Sequence, residues 1–250
     1  MKNEFVVGRI PVLECLRAGK RPARGLFLLK KGKGLDEIER AAPGIPVERC
    51  SRNELDRLSG DVVHQGVVLE AGALPVHNAD TWIDRSFSSD ALVMVLDGVE
   101  DPHNFGAIVR SAAACGVCAV VFGKDRAAPI SPVSVKSAAG GMEYVDLVRA
   151  TNLVRVLDGL KERGFWVGAL AADAGQAVWD ADLTGRIALV VGSEGKGVRR
   201  LMREHSDFEL AIPLSGPIAH LNASVSAAIA LYECRRQREA RAHPPSTDRK

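Results

Sequence analysis

The chain has 250 residues, 46% of them apolar and 5% aromatic, and its 33 Lys and Arg against 31 Asp and Glu leave a formal net charge of +2. That is the composition of a soluble globular protein long enough for one large or two small domains, and the near-neutral total singles out no class of partner. No apolar run approaches the ~18 residues of a membrane span and the opening lacks a signal-peptide pattern, so neither a membrane protein nor a membrane partner is expected.

The distribution of charge says more. Residues 1–34 carry Lys2, Arg9, Arg17, Lys20, Arg21, Arg24, Lys30, Lys31 and Lys33 against Glu4 and Glu14, and the far end adds Arg235, Arg236, Arg238, Arg241, Arg249 and Lys250. Base clustered at both ends suits a polyanion, and equally a solvated surface. Five cysteines, odd in number and scattered, predict a reducing compartment and hence the cytoplasm. Cys115 and Cys118 form a C-x-x-C pair, but at the end of a helix running into a strand rather than at a helix N-terminus, and no second pair completes a zinc site. They are expected to pack, and no metal is expected.

In chain order, residues 1–72 read as a small α/β domain. Ile10, Leu13 and Leu16 share one side of a helix over 9–18 that Gly19 stops. A strand over 26–29, a helix over 35–42 and a strand over 47–49 follow. A helix over 51–58 opens on Ser51, with Glu54 three residues on as a capping box, and a strand over 62–69 closes the domain. The loop Lys30-Lys31-Gly32-Lys33 reads as a polyanion phosphate contact through Lys31 and Lys33, or as a solvated loop. Residues 73–90 lack periodicity and read as a linker anchored by Trp82, free to let the first domain reorient on a large substrate.

From 91 to 240, strand, turn and helix repeat. Strands are expected over 92–96, 118–122, 144–147, 165–170, 187–191 and 208–212. Helices are expected over 104–115, 134–139, 152–163 and 198–205, with a long last one from Asn222. This alternation predicts a parallel sheet covered by helices on both faces, with ligands outside the carboxyl ends of its strands. Residues 241–250, with Pro244-Pro245, read as a disordered basic tail.

The turn Gly192-Ser193-Glu194-Gly195-Lys196-Gly197 follows one of these strands. A Walker A loop needs lysine and a hydroxyl after its glycines, and here Val198 follows Gly197. No Gly-x-Gly-x-x-Gly fingerprint opens a helix after a strand. Both common nucleotide readings fail, leaving a glycine-lined turn with backbone donors and the carboxylate of Glu194.

With the stretch Asp97-Gly-Val-Glu-Asp-Pro-His-Asn-Phe-Gly-Ala-Ile-Val-Arg110 upstream, and the segment from Ile212-Pro213 to Asn222 and Ser224 downstream, this turn resembles the three motifs of the SpoU family of RNA ribose 2'-O-methyltransferases, in the SPOUT superfamily. Asn104, Gly106 and Arg110 match the first motif and 192–197 the second. The likeness covers 91–235 and, more weakly, 5–72, where His64-Gln65-Gly66-Val67 is similar to the family's substrate-binding domain.

The resemblance implies an α/β fold: a SPOUT parallel-sheet domain with a C-terminal trefoil knot, preceded by a small α/β RNA-binding domain, in an obligate homodimer. It implies S-adenosylmethionine as cofactor and methylation of a ribose 2'-hydroxyl, with a guanosine of 23S rRNA as the leading substrate. A tRNA ribose is the alternative, and a non-catalytic RNA-binding or ribosome-assembly protein is the reading from another class. Arg110 matches the arginine assigned to activating the hydroxyl. A guanidinium stays protonated to beyond about pH 12, so stabilising the developing oxyanion is the sounder role. Asn104 is also expected to cap its helix, Glu194 to orient the arginine or a backbone donor, and Asn222 to serve the catalytic site and cap the last helix. Gly192, Ile212 and Leu221 match cofactor-holding positions. His220 stands where the family motif commonly has serine, and either replaces the serine's contact, takes the proton or faces the RNA.

Overall fold

The computed structural model describes residues 3–243 apart from Asp61, Arg126 and Pro129. The first domain is a four-stranded sheet of β1 (Asn3–Val7), β2 (Ala23–Leu29), β3 (Val47–Cys50) and β4 (Val67–Gly72). Its order is β1-β4-β2-β3, antiparallel except for the parallel pair β2–β3. Side chains alternate across the pleat. Leu26, Leu28 and Leu69 pack with Val12 and Cys15 of α1 (Arg9–Ala18) and with Ile38 of α2 (Asp36–Arg40). Val68 packs on the other face with Leu55 of α3 (Arg52–Ser59).

Gly19 ends α1 in the left-handed region at φ 57°, and Ser51 with Glu54 forms the expected capping box. The strand β1 carries no clear alternation in the sequence and was not expected. The strand expected over 62–69 starts only at Val67, because His64, Gln65 and Gly66 make a turn with φ 52° at Gln65. Its geometry assigns the tautomer: His64 Nδ1 accepts the Gly66 N–H at 2.9 Å, so the proton of the neutral ring sits on Nε2, 3.0 Å from Asp56 Oδ1.

The second domain is a seven-stranded, wholly parallel sheet. Its strands are β5 (Val76–Asn78), β6 (Leu92–Asp97), β7 (Ala119–Gly123), β8 (Asp146–Ala150), β9 (Trp166–Leu170), β10 (Ile187–Gly192) and β11 (Phe208–Leu210), in the order β11-β9-β10-β6-β7-β8-β5. Leu92, Met94 and Leu96 face α5 (Pro102–Ala114), α6 (Pro132–Ala138) and α9 (Ala223–Ala242), while Val93 and Val95 face α4 (Ala79–Trp82), α7 (Leu153–Glu162) and α8 (Arg200–Glu204). Helices on both faces leave no half-exposed central strand, which is why these strands read as unbroken apolar runs. Gly106 lets α5 approach α6: a Cβ there would lie 2.4 Å from Ser134 O and 2.5 Å from Ser137 Cβ.

Three expectations need correction. Within the segment read as a linker, β5 is the edge strand of the large sheet, and Trp82 is buried, with Nε1 donating to Asp146 Oδ2 at 3.1 Å. A three-residue strand is too short for periodicity to reveal. Nor are the two domains loosely joined. Arg21 and Glu143, with side chains 5% and 4% exposed, form a 2.5 Å ion pair across the boundary, Lys20 Nζ donates to Val145 O at 2.7 Å, and Tyr144 Oη donates to Glu14 Oε2 at 2.5 Å. Finally, Arg241 and Ala242 complete α9 rather than opening a tail, and residues 244–250 lie outside the described residues.

The order of the large sheet positions the site. The chain lays β6, β7 and β8 outward to one side, then returns to place β9, β10 and β11 on the other. Direction reverses between β6 and β10, whose last residues, Asp97 and Gly192, are register partners. A crevice at such a switch point, beyond the carboxyl ends of the strands, is where open α/β sheets take their ligands.

Candidate active site

Three segments converge on this crevice. The first is the start of α5. Asn104 does not cap this helix; Asp101 does, its Oδ1 accepting the His103 N–H at 3.0 Å with Pro102 at the first helical position. Proline's fixed φ and missing N–H suit that position, and Asp before it is a strong cap. Asn104, one turn in and 7% exposed, is thereby left free to bond elsewhere.

The second segment is the turn after β10. It folds back on itself, with the Gly197 N–H donating to Ser193 O at 2.9 Å. A Cβ on Gly192 would lie 1.9 Å from the carbonyl carbon of Gly197, so no other residue fits there without opening the turn. Glu194 stands on this turn. The third segment is the start of α9, capped as expected by Asn222, whose Oδ1 accepts from the N–H groups of Ser224 at 2.9 Å and Val225 at 3.3 Å. Ser224 is a first-turn residue whose hydroxyl donates to the same oxygen at 2.6 Å.

These three side chains form a closed cluster. Asn104 Nδ2 donates to Glu194 Oε1 at 2.8 Å, Asn222 Nδ2 donates to Asn104 Oδ1 at 3.0 Å, and Asn222 Nδ2 also bonds Glu194 Oε1. Among the described residues no arginine bonds Glu194. Two amides hold one of its oxygens, while Oε2 has no protein partner among the described residues. A carboxylate fixed through one oxygen and open through the other is a preorganised acceptor.

The turn 193–196 is also a wall between two cavities. The smaller, about 340 Å³, is lined by Gly192, Ile212 and Leu221, the three positions expected to hold a cofactor, and by His220. Leu170, Ala171 and Leu214 give it an apolar side, and Ser193 and Ser226 a polar one. Its volume, its mixed lining and the bare backbone at Gly192 fit a small organic ligand with an aromatic and a charged part. The larger, about 850 Å³, opens on the other side between Asn104, Lys124, Asn152, Glu194 and Arg199. His220, proposed from the sequence as a substrate contact, thus borders the smaller cavity and not the larger.

Sequence profiles decide the family. That of the SpoU rRNA methylase family matches residues 91–232, and that of the RNA 2'-O ribose methyltransferase substrate-binding domain matches residues 5–76. The chain belongs to the SpoU family. It is 42% identical over 200 residues to the 23S rRNA (guanosine-2'-O-)-methyltransferase RlmB of Pseudomonas putida, covering 79% of this chain and 80% of that one. It is 37% identical over 241 residues to the Escherichia coli protein of the same name, covering 94% and 99%. Among solved structures, an RNA 2'-O ribose methyltransferase superposes with a TM-score of 0.76 at 27% identity, covering 94% of this chain and 88% of that one. The SpoU methyltransferase AviRb of Streptomyces viridochromogenes, crystallised with AdoMet, shares the fold at a TM-score of 0.78 and 24% identity, covering 95% and 91%.

In this SpoU chain the remaining site candidates lie apart from the cluster. Arg110 is six residues beyond Asn104, about 9 Å further along α5. It is exposed, lines neither cavity, and its side chain makes no hydrogen bond or ion pair among the described residues. Lys31 and Lys33 are exposed on the first domain, in a loop braced by Arg9, whose Nη2 donates to Lys33 O at 2.7 Å and Nε to Gln65 O at 3.1 Å. Sequence reasoning missed Asp97 and Arg199. Asp97, with a fully buried side chain, accepts from Arg199 Nε at 2.6 Å and from its main-chain N–H at 2.8 Å, and the bond holds the guanidinium above its ordinary pKa. The signal was present: a carboxylate closing a five-residue apolar run, at the mouth of a strand. Cys115 and Cys118 are free thiols pushed up by burial, Cys118 to about 11, as packing residues should be. Among the described residues no cluster of metal-ligating side chains occurs, and no helix is long and apolar enough to cross a membrane.

Proposed function

We propose that this chain uses S-adenosylmethionine to methylate a ribose 2'-hydroxyl of RNA, with a guanosine of 23S rRNA as its target. The observation that carries the reading is the Asn104–Glu194–Asn222 cluster, standing in the wall between a ligand-sized cavity and a larger open one. Relatives matched over nearly the whole of both chains are named for 23S rRNA, and others matched over 95–96% of this chain are named for tRNA or rRNA without distinction. The match to a tRNA-modifying enzyme of A. aeolicus spans 66% of this chain, a balance that favours the rRNA.

Gly192, Ile212 and Leu221 would hold the cofactor in the smaller cavity, with His220 at its edge. When bound, it supplies a methyl group on a sulfonium, a leaving group that needs no metal. What remains for the protein is alignment and the hydroxyl proton. Alignment by a rigid site contributes roughly 7–11 kcal/mol in favourable cases. The fixed turn 192–197 and the locked amides of Asn104 and Asn222 are suited to it, and the free Oε2 of Glu194 accepts a hydrogen bond from the ribose. Arg110, whose side chain lines neither cavity and has no partner among the described residues, is assigned to the developing oxyanion as the family resemblance implies.

A homodimer completes the reading. Val225, Ile229 and Tyr232 are exposed at helical spacing on α9, which packs on α5, and a second copy would cover them. The C-terminal segment is read as the trefoil knot, the basic first domain as the RNA-docking module through Lys31 and Lys33, and the cytoplasm as the site of action. Isothermal titration with S-adenosylmethionine tests the core of this: micromolar binding that is lost in Gly192→Ala supports it, and no heat with the wild-type chain refutes it.

A further inference from the structure

The larger cavity holds a feature that the cluster does not explain. Asp97 is the last residue of β6, and its side chain is completely buried. An isolated buried carboxylate is costly, by several kcal/mol even after relaxation. Here both oxygens are satisfied by one residue, Arg199, through its main-chain N–H and its guanidinium, with Nε and Nη2 bonding Oδ1. Yet Arg199 is not buried with its partner: its side chain is 53% exposed and lines the 850 Å³ cavity. Nη1 has no protein partner among the described residues. A pair serving only to fill the core would bury both members.

The geometry points to Arg199 as the phosphate clamp of the target nucleotide, with Asp97 as the positioning residue that holds its guanidinium rigid, and to the larger cavity as the seat of that nucleotide. This rests on the RNA-methylating reading above. A guanidinium tethered along its Nε edge keeps its remaining N–H donors in a fixed plane, and planar donors match phosphate oxygens; tethering also removes the rotamer entropy that a free arginine loses on binding. Lys124 and Lys196 line the same cavity and add positive charge, while Glu100 and Asp125 line it as acceptors. A mixed lining of this kind suits a whole nucleotide, anionic at one end and rich in donors at the other. Glu194 belongs to both cavities, so a ribose seated beside Arg199 lies against the wall that the cofactor side shares.

The test uses the full-length chain and 23S rRNA from a strain lacking the gene, comparing wild type with Arg199→Gln and Asp97→Asn. Arg199→Gln is expected to raise the KM for RNA about 10- to 100-fold, the loss of one charged hydrogen-bonded contact, with kcat and the Kd for S-adenosylmethionine little changed. The slope of log KM against log salt should fall by about 1. Asp97→Asn discriminates further. It makes the cavity more positive, so diffuse attraction would tighten RNA binding, whereas a clamp deprived of its tether must weaken it. An unchanged KM in Arg199→Gln, tighter RNA binding in Asp97→Asn, or equal losses of cofactor affinity and melting temperature in both would overturn the clamp. Absence of methyl transfer by the wild type to any RNA would instead refute the parent reading.

Discussion

Asn104 and Glu194 are ninety residues apart in sequence and 2.8 Å apart in space. Their hydrogen bond ties the first turn of α5 to the loop after β10, and Asn222 closes the triangle from the start of α9. Asn104→Ala would leave the buried end of this network short of a donor and an acceptor. The expected cost is about 1–3 kcal/mol of stability, and a fall in turnover of about 100-fold or more from the loosened carboxylate. Thermal melts and single-turnover methyl transfer would measure the two separately.

Gly192→Ala places a methyl where the Gly197 carbonyl carbon stands, at 1.9 Å. The turn must open, and with it the wall of the smaller cavity. Cofactor binding should fall by at least tenfold on titration, while far-ultraviolet circular dichroism stays that of the wild type, because the strand ends at this residue.

The two domains are held by the Arg21–Glu143 pair, buried on both sides. Removing one partner strands a buried charge, so Arg21→Met should destabilise by about 3–5 kcal/mol. The double change Arg21→Met with Glu143→Leu should recover much of that loss. Chemical denaturation of the three chains would measure it, and additive losses would contradict the pairing.

Acid should loosen the same boundary. Burial acts to raise the pKa of Asp146, but the hydrogen bond from Trp82 and the charges of Lys20 and Arg85 outweigh it and hold the carboxyl below 3.8. A carboxyl with a depressed folded pKa adds stability above its unfolded value and loses it as pH falls through the folded one. Asp146→Asn should therefore be less stable than wild type at about pH 7, with the gap closing below about pH 4.

How much of this was legible in the sequence follows from length and from local signals. The long strands and helices of the large domain stand close to where alternation and caps placed them, because β6 and β10 are buried on both faces and read as unbroken apolar runs. The short elements were not legible: β5 has three residues, and β1 lacks a clear pattern. The strand expected over 144–147 begins at Asp146, because a 3-10 turn takes Gly141–Glu143 and Tyr144 turns out to meet Glu14 of the other domain. At the site, the glycine turn and the capping role of Asn222 were local and visible. Asn104 lies inside the helix rather than at its cap, because Asp101-Pro102 is the stronger start signal. The bond between Asp97 and Arg199 spans 102 residues, and only the folded chain brings it together.

The most direct measurement is nucleotide-resolution mapping of methyl groups transferred from S-adenosylmethionine to 23S rRNA isolated from a strain lacking the gene. The account predicts one 2'-O-methylated guanosine, absent from the untreated RNA and not formed by Asn104→Ala. Methylation on a base, methylation confined to tRNA, or none at all would contradict it.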